Sequence, residues 1–215
     1  ISGISDGISG KFPTEAAKPC VRRMRFEGRP RAHLAASRPG RHHSAMTVTL
    51  RDSQADDITA IAAIYGHAVR TGLASFEYEP PDAAEMARRR DGIIAAGYPY
   101  IVATDADGSV LGYAYVSAYR PRIAYRFTVE NSIYVAQPAH GRGVGRMLLR
   151  ALIARCTDQG FRLMVAVIGD SANTASIRLH AAHGFRPVGT LPDVGWKFGR
   201  GVDSVLMTLA LGEGA

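Results

Sequence analysis

The segment from Glu130 to Arg146 reads Glu-Asn-Ser-Ile-Tyr-Val-Ala-Gln-Pro-Ala-His-Gly-Arg-Gly-Val-Gly-Arg. Thr128, Glu130 and Ser132 alternate with Val129, Ile133 and Val135, the period of a strand with one apolar face. A glycine-rich loop follows, and then an amphipathic helix with Val144, Met147, Leu148, Ala151 and Leu152 on one side. A strand that runs through such a loop into a helix demands an α/β fold, because both elements bury one face against a common layer. Free amides and the positive dipole end of the helix form a ready site for phosphate, and glycine allows close backbone approach.

Which phosphate ligand fits is narrowed by what the loop lacks. A Walker loop needs Gly-Lys followed by Ser or Thr, whereas Gly145 is followed by Arg146 and Met147. A dinucleotide fingerprint requires a third glycine where Arg146 stands, and an acidic residue at the end of a second strand, where Asp158 does not fall. The candidate phosphate-binding residues of the loop are Gly141, Arg142, Gly143, Val144, Gly145 and Arg146, the two guanidinium groups either pairing with phosphate or lying on a solvated helix face.

Flanking elements extend the α/β pattern. Residues 47 to 52 read as a strand, Ser53-x-x-Asp56 as a capping signal, and Ile58, Ile61, Ala62, Ile64, Tyr65 and Val69 as a helix running to about residue 69. A second helix over about 82 to 96 follows Pro80-Pro81, and Asp105-Ala-Asp-Gly108 joins two strands in a hairpin. Strand 128 to 136, helix 142 to 159, strand 162 to 168, helix 172 to 183 and strands near 185 to 190 and 202 to 210 complete a mixed central sheet flanked by helices. The chain has 215 residues, 47% of them hydrophobic, which suits one domain plus an extension. Residues 1 to 45 hold nine Lys or Arg against three acidic residues and few periodic apolar positions, so a basic, disordered extension is expected there. The expected domain spans 46 to 211, with 212 to 215 as a short tail. The chain begins at Ile1, whereas Met46 opens a strand cleanly, which favours upstream sequence or a fragment over a basic arm for nucleic acid or a transit peptide. Neither a membrane span nor a disulfide framework is expected, since Cys20 and Cys156 are the two cysteines. No histidine or cysteine pair has metal-ligand spacing, and no metal is expected.

After the apolar strand Phe161 to Ile168, the chain continues Asn173-Thr-Ala-Ser176-Ile-Arg-Leu-His180-Ala-Ala-His-Gly184-Phe185. With the loop, these elements resemble the Gcn5-related N-acetyltransferase superfamily, and specifically the phosphinothricin and methionine sulfoximine acetyltransferases. The closer likeness rests on Tyr125 to Val135, on Arg178-Leu-His180 and on Val194-Gly-Trp-Lys197-Phe198-Gly199-Arg200. It spans residue 46 to about 211. Two departures stand out: His140 where the loop usually opens with Gln or Arg, and Gly201 where a larger residue is common, which puts a phosphate contact and the pocket floor in question.

The resemblance implies a splayed acetyl-CoA cleft and a homodimer, while the lack of a disulfide framework fits a cytoplasmic enzyme. It implies Glu130 as the base that deprotonates an amine, since an alkylammonium with a pKa near ~10 cannot attack a thioester. It implies His180 in the place of the acid that protonates the leaving thiolate. A histidine merely hydrogen-bonded within a packed helix is the plain alternative. The backbone of Ile133, Tyr134 and Val135 would pair with the pantetheine arm like an added strand, with a nearby amide donating to the oxyanion. Asn173 and Ser176 would cap their helix, contact the cofactor, or both. On the substrate side stand Arg120-Pro121-Arg122, whose guanidinium groups can clamp a carboxylate, together with Asn131, Ser132, Phe76, Glu77 and Lys197, the only lysine after residue 18. The partner is then a small-molecule amine, not nucleic acid. Acetylation of an aminoglycoside or a protein N-terminus by the same chemistry, and an acyl-CoA-binding module without turnover, remain as alternatives.

Overall fold

Two neighbouring strands that start side by side and then part organise the architecture. In the computed structural model, which describes residues 47–212, strand β4 (Thr128–Val135) lies parallel to β5 (Leu163–Gly169). Their pairing runs from Thr128 opposite Leu163 to Asn131 opposite Ala166 and stops there. Beyond that point β4 stays paired to β3 (Val110–Ala118) as far as Val135, and β5 stays paired to β7 (Arg200–Ala210) as far as Gly169. The sheet therefore opens into a V whose vertex is at Asn131. With β1 (Thr49–Asp52), β2 (Tyr100–Thr104) and β6 (Arg186–Lys197), seven strands run in the order β1-β2-β3-β4-β5-β7-β6, antiparallel apart from β4 and β5.

Helices cover both faces. On one side α3 (Val144–Asp158) buries Val144, Leu148, Leu149, Leu152 and Cys156, each at most 1% exposed, against Ala114, Val116, Val129 and Met164. Each such aliphatic side chain contributes roughly 1.5–3 kcal/mol. The stripe is turned slightly from the sequence expectation, so that Met147 and Ala151 lie at its half-buried margin. Cys156 is core, and burial pushes its thiol up to about 12, which leaves it unreactive at neutral pH. On the opposite face α1 (Ile58–Thr71) and α2 (Ala83–Ala95) cover a layer in which Tyr100, Tyr113 and Tyr115 stack at ring separations of 5.0 to 6.3 Å.

Three expectations change. Ser53 is not the cap before α1; Gln54 and Asp57 form a capping box around a 3-10 turn (Ala55–Asp57), while Ser53 accepts from Arg90 Nε at 2.8 Å. Arg51 holds the Asp57 carboxylate in place there with two 2.7 Å bonds. Strand β6 runs to Lys197, well beyond residue 190, with register breaks at Pro187/Gly189 and Leu191/Gly195. As the sheet edge it pairs on one side alone, so its residues carry no alternating apolar signal and are exposed up to Val194. Lys197 is not at the surface: it is 1% exposed, and its ammonium donates to Val69 O (2.8 Å), Gly72 O (3.0 Å) and Ser75 O (2.7 Å). These carbonyls belong to the end of α1 and the turn after it, so Lys197 serves as a cation capping a helix C-terminus. The expectations for residues 1 to 45 lie outside the described residues.

Lys197→Met keeps the length of the stem and leaves three buried carbonyls without their donor. It is expected to lower stability by about 3 kcal/mol in urea unfolding. An unchanged midpoint would show that water replaces the ammonium there.

Candidate active site

The opening of the V is the mouth of a cleft of about 730 Å³. One wall is β4 from Glu130 to Val135, the other is β5 from Ala166 to Gly169, and the loop Ala139–Arg146 and helix α4 (Thr174–Ala181) close one side. Ala136 N–H donates to Leu111 O on β3 at 2.8 Å. By alternation, the N–H and C=O of Ile133 and Val135 point away from β3, into the V. Among the described residues no strand meets them there, so β4 presents a free edge to an extended ligand. Val135 O already accepts from His140 Nε2 at 2.9 Å, which ties the start of the loop to the end of the strand.

The loop has the geometry of an anion cradle. Gly141 and Gly143 have φ of +72° and +80°, values that L side chains adopt with strain, and Gly143 is the N-cap of α3. No side chain caps this helix. The amides of Val144, Gly145 and Arg146 in its first turn therefore lack intrahelical acceptors and aim their dipole at the cleft, with Arg146 alongside. Facing them, Asn173 Oδ1 accepts from Ser176 N at 3.2 Å and caps α4.

Glu130 sits at the vertex, one residue before the strands part. Its carboxyl is half-buried, and desolvation raises its pKa above the ordinary glutamate value, with the Arg120 guanidinium pulling the other way. Glu130 is thus a carboxylate made more basic by its surroundings at the edge of a cleft, the condition of a proton acceptor. Beside it the Tyr115 hydroxyl hydrogen-bonds Ser132, and Tyr134 packs edge-on against Tyr65 at 5.0 Å.

Of the expected site residues, Phe76, Glu130, Asn131, Ser132, Ile133, Tyr134 and Val135 line the cleft, as do Gly141, Gly143, Val144, Gly145, Arg146, Asn173, Ser176 and His180. Arg120, Pro121, Arg122, Arg142 and Glu77 lie outside its lining. Arg120 nevertheless acts electrostatically on Glu130. Glu77 Oε1 accepts from Arg89 Nη1 at 2.6 Å and from Tyr65 OH at 3.1 Å, which fixes the segment carrying Phe76. Substrate contact is not the task of Lys197, whose ammonium is committed to α1. Gly201 does not line the cleft: it lies against Asp193, whose Oδ1 occupies the space a Cβ would need. Sequence reasoning missed the far wall, Ala166 to Gly169 and Ser204, because apolar strand residues and one serine carry no chemical signature. Among the described residues no group of three His, Cys, Asp or Glu is placed to hold a metal ion, and no helix is long and apolar enough to cross a membrane.

Because folding raises the Glu130 pKa, the native state holds that proton more tightly than the unfolded chain. The ionised group therefore opposes folding above its raised pKa, and the opposition fades as pH falls through it. Glu130→Gln is expected to be more stable than the parent at pH 8 and to lose that advantage by pH 4, read as the difference in melting temperature. A variant less stable at pH 8 would contradict the desolvation account.

The Acetyltransferase (GNAT) family matches residues 61–185, the stretch that carries the V, the loop and α4. A phosphinothricin N-acetyltransferase of Alcaligenes faecalis is 53% identical over 180 residues, 84% of this chain and 91% of the relative. An L-methionine sulfoximine/L-methionine sulfone acetyltransferase of Pseudomonas aeruginosa is 44% identical over 166 residues, 77% of this chain and 96% of the relative. The crystal structure of a phosphinothricin acetyltransferase from Sinorhizobium meliloti in complex with AcCoA superposes with a TM-score of 0.76 at 50% identity, covering 79% of this chain and 91% of that one. Sequence and structure together make this chain a member of the Gcn5-related N-acetyltransferase family.

Proposed function

We propose that the protein is an N-acetyltransferase that moves the acetyl group of acetyl-CoA to the α-amino group of a small amino-acid analogue of the phosphinothricin, methionine sulfoximine or methionine sulfone type. The observation that carries this reading is a basic carboxylate at the vertex of a V, below a free strand edge and a helix N-terminus. The amides of residues 144–146 and the Arg146 guanidinium would hold pyrophosphate, with Arg142 at the same loop. The Ile133 and Val135 backbone would pair with the pantetheine arm, placing the thioester beside Glu130. Glu130 takes the proton of the incoming ammonium, directly or through one water, and an outward amide of β4 donates to the oxygen that gains charge. Arg120 is suited to the substrate carboxylate or phosphinate, a preference that disfavours cationic aminoglycosides. A leaving thiolate with a pKa near ~8.5 departs without an obligatory acid.

The reading includes a cytoplasmic enzyme acting as a homodimer. The exposed Leu191, Val194 and Trp196 on edge strand β6 support self-association.

The test is thiol release from acetyl-CoA against phosphinothricin, methionine sulfoximine, methionine sulfone and the common amino acids. Turnover of a sulfoximine, sulfone or phosphinate is expected, and Glu130→Gln is expected to lower kcat by about 10²–10⁴-fold while acetyl-CoA still binds. In the parent, kcat/KM should fall as pH drops through the raised Glu130 pKa, because only the carboxylate accepts a proton. Full activity in the variant would remove Glu130 from the mechanism. Turnover confined to aminoglycosides or peptide amines would overturn the substrate class.

A further inference from the structure

The vertex of the V is held by a side chain as well as by the ladder. Asn131 is 7% exposed, and its Nδ2 donates to Val165 O at 3.0 Å, across the last paired step between β4 and β5. That bond fixes the amide's orientation, because the atom facing a carbonyl must be the NH₂. Asn131 Oδ1 therefore faces the other way, 3.0 Å from His180 Nε2 on α4. Since Oδ1 can only accept, this contact is a hydrogen bond when Nε2 carries a proton. His180 is 4% exposed, with Phe185 edge-on to its ring at 4.9 Å. Its other nitrogen lies 2.8 Å from Ser176 O and 3.4 Å from Ser176 Oγ. Both ring nitrogens thus face protein partners, although the ring forms part of the cleft wall.

A proton donor to a departing thiolate needs an N–H aimed into the cleft, whereas each nitrogen of this imidazole faces a protein oxygen that can only accept, Asn131 Oδ1 or Ser176 O. Burial, with His183 nearby, pushes the His180 pKa below its ordinary value, while the Ser176 carbonyl opposes the shift. Whichever ring nitrogen carries a proton, its N–H is already directed at a protein oxygen. What the bond does is mechanical: it joins α4, whose first turn borders the cleft, to the residue immediately after Glu130.

We propose that His180 is a positioning residue that acts through Asn131 to fix the vertex of the V, and not the acid that protonates the leaving group. This deepens the acetyltransferase reading and rests on it for the kinetic part of its test. With the bond removed, the Asn131 carboxamide keeps only its bond to Val165 O, and the tie between α4 and the point at which β4 leaves β5 is lost. Glu130 and the outward amides of Ile133 and Val135 shift together relative to any bound thioester.

The test compares His180→Ala, Asn131→Ala, the double variant and His180→Gln. Glutamine places its amide nitrogen near the Nε2 position and can donate to Asn131 Oδ1, yet it does not titrate between pH 5 and 9. Acetyl-CoA affinity is measured by calorimetry and single-turnover acetyl transfer across that pH range. Each alanine variant should lower the transfer rate by up to about 10²-fold, the scale of a 1 Å misplacement. The double variant should be no slower than Asn131→Ala alone, and His180→Gln should recover most of the rate with the pH profile unchanged. Independent, multiplicative losses would overturn the proposal and make His180 the acid, as would a His180→Gln rate as low as the alanine rate. If the alanine variants do not fold, His180→Gln decides by itself. If the parent turns over none of the amines, the acetyltransferase reading fails separately. The same non-additivity is then sought in acetyl-CoA affinity, where additive losses would sink the positioning role.

Discussion

A β-strand cannot leave its neighbour without exposing backbone donors and acceptors, and the structure depends on how that problem is solved where β4 leaves β5. Each unpaired N–H or C=O shut away from water costs roughly 1–3 kcal/mol, so a parting sheet closes again unless something holds it open or water reaches it. Here β3 keeps its grip on β4 and β7 on β5, so the two halves of the sheet remain intact on either side of the gap. Helix α3 and its core fasten the first half, and α4 borders the gap itself. The polar groups at the gap are thereby the reactive edge of the protein, kept available while the ladders to β3 and β7 hold the two strands on their other sides.

The opposite face of the sheet is organised by a different electrostatic device. The C-terminal end of α1 carries partial negative charge and carbonyls that lack intrahelical donors, and the chain then turns towards the cleft. One ammonium group, from a residue more than a hundred positions away, gathers the Val69 carbonyl of the helix end with those of Gly72 and Ser75 in the turn after it. Arg89 and Tyr65 hold Glu77 just beyond. Phe76 lies between these two anchors, so its ring is placed by groups that never meet a ligand.

The legible parts of the sequence were those in which local chemistry has few alternatives. Glycines at 141 and 143 stand where positive φ occurs, the period of α3 matches its buried face to within one position, and Glu130 falls on the expected edge. What could not be read depended on contacts distant in the chain. The rarity of Lys197 invited a functional role, whereas its role is set by carbonyls on α1. Asn131 read as a substrate contact because nothing in its neighbourhood reveals that Val165 and His180 lie on its two sides. The length of β6 was hidden because an exposed edge strand with Pro192 and Gly195 has no face to encode.

Gly195 has one more property, which concerns descent more than mechanism. It lies on β6 outside the cleft lining, yet a Cβ there would stand 2.5 Å from the ring of Phe76, which does line it. The ring rests on that glycine because nothing protrudes from it. A single codon change at position 195 would push the aromatic wall inwards and narrow the cleft without altering any residue a ligand touches. The range of side chains the enzyme accepts can therefore drift through a position that a comparison of cleft residues alone would pass over.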